Sequence, residues 1–211
     1  ISAGGIGHRI ENNRIESSLL SGIFTNSLGQ GGVSGVPVQD VTIRGNTIVR
    51  SDQNNRQDNN HYPSSVYRGS IAMNNNATNV AIEGNRIFGN PGNGILFSAW
   101  SSALQGSGLA VRNNEISGSK DSAIKINANA VIDGLEMTGN KLLGNSGSVG
   151  FGGTVTGTQT YGGNKVSQPT VPEKDGFTVV TEESPFHDVY ADVASEASQS
   201  DWAQQPVVSI P

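Results

Sequence analysis

Five asparagines, Asn13, Asn46, Asn85, Asn114 and Asn140, sit in one recurring phrase, with an aliphatic residue three positions before and another two positions after. The copies read Ile10–Asn13–Ile15, Ile43–Asn46–Ile48, Ile82–Asn85–Ile87, Val111–Asn114–Ile116 and Met137–Asn140–Leu142, with a degraded sixth at Tyr161–Asn164–Val166. Self-similarity at a spacing of a few tens of residues is the signature of stacked repeats, in which each unit buries its apolar face only against its neighbours. That restricts the chain to a solenoid more strongly than any feature of its composition.

A second phrase follows the first about ten residues on. A small residue leads into a short apolar run: "GIFT" from Gly22, "GILF" from Gly94, "AIKI" from Ala123 and "VGF" from Val149. The copy "SIAM" at Ser70 arrives late, so its repeat carries an insertion, Ser51–Gly69. Each repeat thus holds three short segments of period two, as in "VTI", "TIVR" and "SIAM" around Asn46. Before residue 168 no segment keeps a helical apolar period long enough to compete. Three short strands per turn predict an all-β fold, a right-handed single-stranded parallel β-helix, over residues 1–166. The inward positions are then Ile10, Ile15, Ile23, Ile43, Ile48, Ile71, Met73, Ile82, Ile87, Ile95, Phe97, Val111, Ile116, Ile124, Ile126, Met137 and Leu142. The asparagine is expected to take the left-handed bend between two strands, eased by Gly45, Gly84 and Gly139, and to hydrogen-bond from coil to coil as a ladder.

Residues 167–211 depart from the repeat and read as an acidic extension or cap. From residue 168 onward the chain holds eight of its 18 acids and one of its 13 Lys and Arg. "FTVV" at Phe177 is expected to be a last strand. Ser184 as N-cap, Pro185 at the first helical position, and Phe186, Val189, Tyr190 and Val193 on one face predict a short helix over the last coil. An acidic linker to a further module is the alternative. Without cysteine the chain has no disulfide, which fits secretion or cytosol alike. No apolar run is long enough to span a membrane, and basic residues are scattered with few aromatics, so nucleic acid is not an expected partner. The start enters a coil at once, which leads us to expect further coils before residue 1, or a homo-oligomer covering that end.

Over residues 8–166 the "I-x-x-N-x-I … G-I" phrase resembles the parallel β-helix repeat of the pectate-lyase-like superfamily. The resemblance implies a polysaccharide or oligosaccharide partner, a secreted or cell-surface location, and a substrate groove on the outer face of the "GI-x" strands. It implies activity as a glycoside hydrolase, fructotransferase or polysaccharide lyase; a non-catalytic carbohydrate-binding stalk, adhesin or spike segment is the alternative. By alternation the groove would present Phe24, Asn26, Ala72, Asn74, Leu96, Ser98, Lys125, Asn127, Gly150 and Gly152. None is Asp or Glu, whereas hydrolysis needs two carboxylates flanking the bond.

Candidate catalytic groups therefore come from turns and loops. Asp121 lies just before the groove strand that carries Lys125; the two read as an acid and a base, or more plainly as a surface ion pair. The insertion supplies Asp58 and His61 as further candidates, with Tyr62, Tyr67 and Arg68 to hold a sugar. Asn74, Asn127 and Trp100 complete the candidate substrate-binding set. His8, His61 and His187 lack metal-ligand spacing, and no metal or cofactor is expected. Glu83 and Glu136 read as solvated acids on other faces.

Overall fold

The structure is a computed structural model that describes residues 1–26, 38–51, 69–74, 76–98, 104–170 and 173–181. The insertion residues 52–68, Trp100 and the expected helix at 184–193 lie outside the described residues.

The three segments of each repeat become three parallel sheets. Sheet A stacks Ser2–Ala3, Ile23–Asn26, Gly69–Asn74, Asn93–Ser98, Ser122–Ile126 and Gly147–Phe151. Sheet B stacks Arg9–Glu11, Val38–Arg44, Ala77–Glu83, Leu104–Arg112, Ala130–Thr138 and Thr154–Gly162. Sheet C stacks Arg14–Glu16, Thr47–Val49, Arg86–Phe88, Glu115–Ser117, Lys141–Leu143, Asn164–Val166 and Phe177–Val179. Up to Val166 the chain visits A, B and C in turn, so each strand pairs with strands one coil away and not with its neighbours in sequence; only the last described strand, Phe177–Val179, pairs with the strand just before it, Asn164–Val166.

Like residues stack on like. In sheet B the register aligns Ile10, Ile43, Ile82, Val111 and Met137; in sheet C it aligns Ile15, Ile48, Ile87, Ile116 and Leu142. Every expected inward position joins one continuous core, except that Ile15 in the first coil is only half-buried against it. Sheet B is longer than the three-residue phrase suggests, and its strands add Val38, Val41, Val80, Leu109, Ile132 and Leu135 to the core.

The asparagine ladder forms as expected. Oδ1 of Asn46 accepts both the backbone N–H of Asn13, at 2.9 Å, and its Nδ2–H, at 3.0 Å. Asn46 in turn gives its backbone and side-chain N–H to Oδ1 of Asn85, at 3.0 and 2.9 Å, and its second amide hydrogen to the carbonyl of Ile10, at 2.8 Å. The pattern repeats through Asn85, Asn114, Asn140 and Asn164. Both lone pairs and both hydrogens of each interior amide are used, so full burial of Asn46, Asn85 and Asn140 costs no unmade bond. At the far end the carbonyl of Gly176 takes both donors of Asn164, at 3.0 and 3.1 Å, as the next asparagine's Oδ1 would.

One expectation is corrected. The left-handed residue at this corner is the one before each ladder asparagine: Asn12, Gly45, Gly84, Asn113, Gly139 and Gly163, with φ between 53° and 65°. The ladder residue keeps φ negative because its side chain must point inward while its own N–H points along the stack. Two further left-handed columns turn the chain elsewhere. Ser17, Arg50, Gly89, Gly118 and Gly144 follow sheet C, and Gly7, Asp40, Asn79, Gly108, Gly134 and Gly157 bend sheet B. The small residue of the "G-I" phrase also has a steric reason. A Cβ on Gly22 would lie 2.8 Å from a methyl of Ile48, and one on Gly94 would collide with a methyl of Ile116 and the carbonyl of Ala123.

This packing gives three stability predictions. Asn114→Ala leaves the two donors of Asn85 buried without an acceptor; at about 1–3 kcal/mol per unmade buried bond, unfolding in denaturant should show a loss of about 2–6 kcal/mol. Gly94→Ala overpacks the corner and should cost about 1–3 kcal/mol in the same measurement, whereas Asn113→Gly at a left-handed position should stay within about 1 kcal/mol.

Candidate functional site

Sheet A is the sheet on which the candidate groove residues lie, and its strands carry one charge, Lys125. Its outer face differs along its length. Ala72 and Leu96 occupy outward positions yet are buried, and so are Asn74 and Ser98. The open groove expected across all coils is therefore absent at these two strands, which are buried on both faces. Exposure begins one coil on, where Lys125 is half-buried and Gly150 lies directly above it. The lysine side chain runs over that glycine: a Cβ on Gly150 would sit 2.7 Å from Cδ and 2.9 Å from Nζ.

Beside Lys125, where the chain turns into sheet A, lies an open depression of about 370 Å³. Asn93, Asp121, Ser122, Lys125, Ser146 and Gly147 line it. Its floor is held by backbone. The N–H of Asp121 donates to the carbonyl of Gly92 at 3.2 Å, and its carbonyl accepts from Gly147 at 2.8 Å. Oδ1 of Asn93 accepts the N–H of Ser122 at 3.1 Å, and Ser146 donates its N–H to Ser119 at 2.9 Å. Asp121 itself is exposed, and no ion pair joins it to Lys125, so the plain surface pair expected from their spacing does not form. A carboxylate, an ammonium, two hydroxyls and an amide thus face one space, a donor and acceptor set suited to sugar hydroxyls. Among the described residues no second carboxylate for paired acid–base hydrolysis lines it.

The structure brings Asp121 and Lys125 together and sets the other described candidates apart. Asn74 ends its strand and Asn127 follows directly on Ser122–Ile126, in a row with Ser98. Asn127 donates from Nδ2 to Oγ of Ser98 at 3.2 Å and accepts the N–H of Ala128 at 3.0 Å. Asn74 is buried, and neither amide atom has a partner among the described residues. Asp58, His61, Tyr62, Tyr67, Arg68 and Trp100 are outside the described residues. Asn93, Ser122 and Ser146 were not singled out from the sequence. The signal for them is positional: each occupies the same corner of successive coils as Asp121.

Glu83 and Glu136, expected to be solvated, instead flank Arg112. The guanidinium grips Glu136 through two bonds, from Nε at 2.7 Å and Nη2 at 2.6 Å, with Glu83 at 3.8 Å; Thr138 donates to Glu136 at 3.0 Å. Its hydrogen bond to Arg112 holds the Glu136 carboxyl below its ordinary range, and the same bond raises Arg112. Burial pushes the Tyr161 hydroxyl up. Among the described residues no group of three His, Asp or Glu is placed to hold a metal. No helix among them is long and apolar enough to cross a membrane.

With the stack and its site in view, the comparison with known families is direct. Residues 1–171 match the family model described as right handed beta helix region, and the chain belongs to that family. The winding is accordingly right-handed, and the domain is of a kind that fits polysaccharide-active or carbohydrate-binding proteins. No curated protein and no solved structure matches the chain.

The Arg112 cluster gives a pH prediction. A depressed folded-state carboxyl stabilises the fold fully above the unfolded pKa of about 4.3 and ceases to do so as pH falls through the lower folded value. Comparing unfolding of the parent and Glu136→Gln should show a parent advantage of at most about 1 kcal/mol, given the partial exposure of the pair. It should be constant from pH 7 to about pH 5, shrink as pH falls below the unfolded value of about 4.3, and be gone once pH lies below the lower folded value.

Proposed function

We propose that this protein binds an extended polysaccharide across sheet A, with the depression at Asp121 and Lys125 as its principal contact. The observation that supports this reading most is the convergence of Asp121, Lys125, Ser122, Ser146 and Asn93 on one open space beside the sheet's single charge. A sugar ring offers several hydroxyls on both faces, and this mixed set can donate to and accept from them at once. The insertion candidates Asp58, His61, Tyr62, Tyr67 and Arg68, together with Trp100, are proposed as further contacts. Such glycans lie outside cells or on their surfaces, where we place the protein's action.

A second reading is glycan processing, as a glycoside hydrolase, fructotransferase or polysaccharide lyase. It is favoured by Lys125 and Asp121 lining one depression without neutralising each other. In that reading Asp121 protonates a leaving oxygen and Lys125 withdraws a proton or holds developing negative charge. With one carboxylate among the described lining residues where hydrolysis uses two, we rank binding ahead of it.

A panel of plant, algal and bacterial glycans separates the readings. Binding by calorimetry, weakened about tenfold or more by Lys125→Ala and by Asp121→Ala, supports the site, since a charge-assisted hydrogen bond is worth about 1.5–3 kcal/mol. Release of reducing ends or of an unsaturated uronide absorbance, lost in the same variants, establishes processing. Binding that both variants leave intact refutes the depression as the contact.

A further inference from the structure

Asp121 and Lys125 are opposite charges lining one depression, yet neither forms a salt bridge or a side-chain hydrogen bond among the described residues. Elsewhere in the stack, opposite charges on neighbouring coils do pair: Arg44 with Glu11, Arg86 with Glu115, and Arg112 with Glu83 and Glu136. Strands there lie about 4.8 Å apart, close enough for side chains to meet. Asp121 and Lys125 follow one another along a single run of chain instead. Ser122–Ile126 is extended, so at about 3.3 Å per residue the Cα atoms of Ser122 and Lys125 stand about 10 Å apart. Asp121 is one residue further back, at the turn.

The lysine stem is also led away from the turn. It runs over Gly150 of the next coil, where a Cβ would lie 2.7 Å from Cδ and 2.9 Å from Nζ. Extended backbone and a bare glycine thus keep two opposite charges apart in one space. The other groups lining it are uncharged: the hydroxyls of Ser122 and Ser146, the amide of Asn93 and Gly147. Lys120, the nearest further charge in sequence, is exposed and does not line the depression.

An occupant that satisfies both charges carries both signs. A purely anionic glycan meets Lys125 and is repelled by Asp121, and a purely cationic one does the reverse. A neutral one takes water from both charges and returns no counter-charge. The separation of about 10 Å along the strand exceeds the span of one hexose, so the two ligand charges belong to neighbouring sugars. The volume of about 370 Å³ lies within the ordinary range of small-ligand sites, about 300–1,000 Å³.

We propose that the glycan bound here is zwitterionic, with a uronate carboxylate for Lys125 and the protonated amine of a neighbouring amino sugar for Asp121. This rests on the glycan-binding reading above and narrows it. The test varies charge on one backbone. Hyaluronan, an alternating polymer of a uronate and an N-acetylated amino sugar, is used in four forms: native, with the carboxylate alone; de-N-acetylated, with both charges; carboxyl-reduced and de-N-acetylated, with the amine alone; and carboxyl-reduced, with neither. Binding to the full chain is measured by calorimetry at low salt and at a mildly acidic pH that keeps the amine protonated. The form with both charges should bind about tenfold or more tighter than either singly charged form, since one charge-assisted hydrogen bond is worth that much. Lys125→Ala should erase the gain from the carboxylate and leave the gain from the amine. Asp121→Ala should do the reverse, and Lys120→Ala should change neither. Net charge alone predicts a different order: at −5 the chain would attract the amine-only form most. Tightest binding by any other form, equal binding of all four, or a preference that both site variants leave unchanged overturns the proposal and leaves glycan binding standing. Failure of all four forms where another glycan binds through Asp121 and Lys125 has the same meaning. Failure of every glycan removes the reading and the proposal together.

Discussion

The hydrogen bonds between stacked asparagine amides are the interaction on which the rest of the fold depends. A coil of this size cannot bury enough apolar surface to hold its own shape, so coils must register on one another. Aliphatic columns supply attraction, but a methyl group slides along its neighbours at little cost. The amide does not. Each buried Oδ1 receives two donors from the coil before, and each Nδ2 reaches both the next asparagine and a carbonyl of the preceding sheet B strand. A slip of one residue would strand these groups inside the core, where an unmade bond is expensive.

The same constraint accounts for the candidate site. Once the ladder sets the B–C corner, the C–A corner repeats at a fixed height in each coil. Residues that follow the left-handed Gly89, Gly118 and Gly144 then line up as Asn93, Asp121, Ser122, Ser146 and Gly147. Backbone bonds between successive turns hold this corner, so the polar side chains project from a rigid frame. Glycine matters on the neighbouring column as well, because the absence of a side chain at Gly150 gives the Lys125 stem its bed.

What was legible in the sequence was whatever repeats. The asparagine phrase specified three sheets, the inward residues and even the degraded rung at Asn164, because each copy answers the same physical demand. The identity of the left-handed residue was misassigned, since Asn12 and Asn113 stand where other coils use glycine and hide the pattern beside a second asparagine. The bend within sheet B was missed for a similar reason: Asp40, Asn79, Gly108 and Gly134 share a conformation and no chemistry. The site was only half legible. Lys125 and Asp121 stood out by charge, whereas Asn93 and Ser146 are ordinary polar residues until stacking brings them together. Burial of Ala72 and Leu96 on the outer face could not be foreseen, because alternation tells which way a side chain points and not what lies over it. Glu136 looked solvated because its partner Arg112 is 24 residues away in sequence and adjacent only in the stack.

The most direct test of this account is a double-mutant cycle on two adjacent rungs, Asn85→Ala, Asn114→Ala and the pair, with unfolding free energies measured in denaturant. If the amides act as one hydrogen-bonded file, the two losses overlap and the pair departs from additivity by about 1 kcal/mol or more, as groups in a shared network do. Losses that add to within about 0.5 kcal/mol would show two independent turn residues, and the ladder would no longer explain how the coils keep their register.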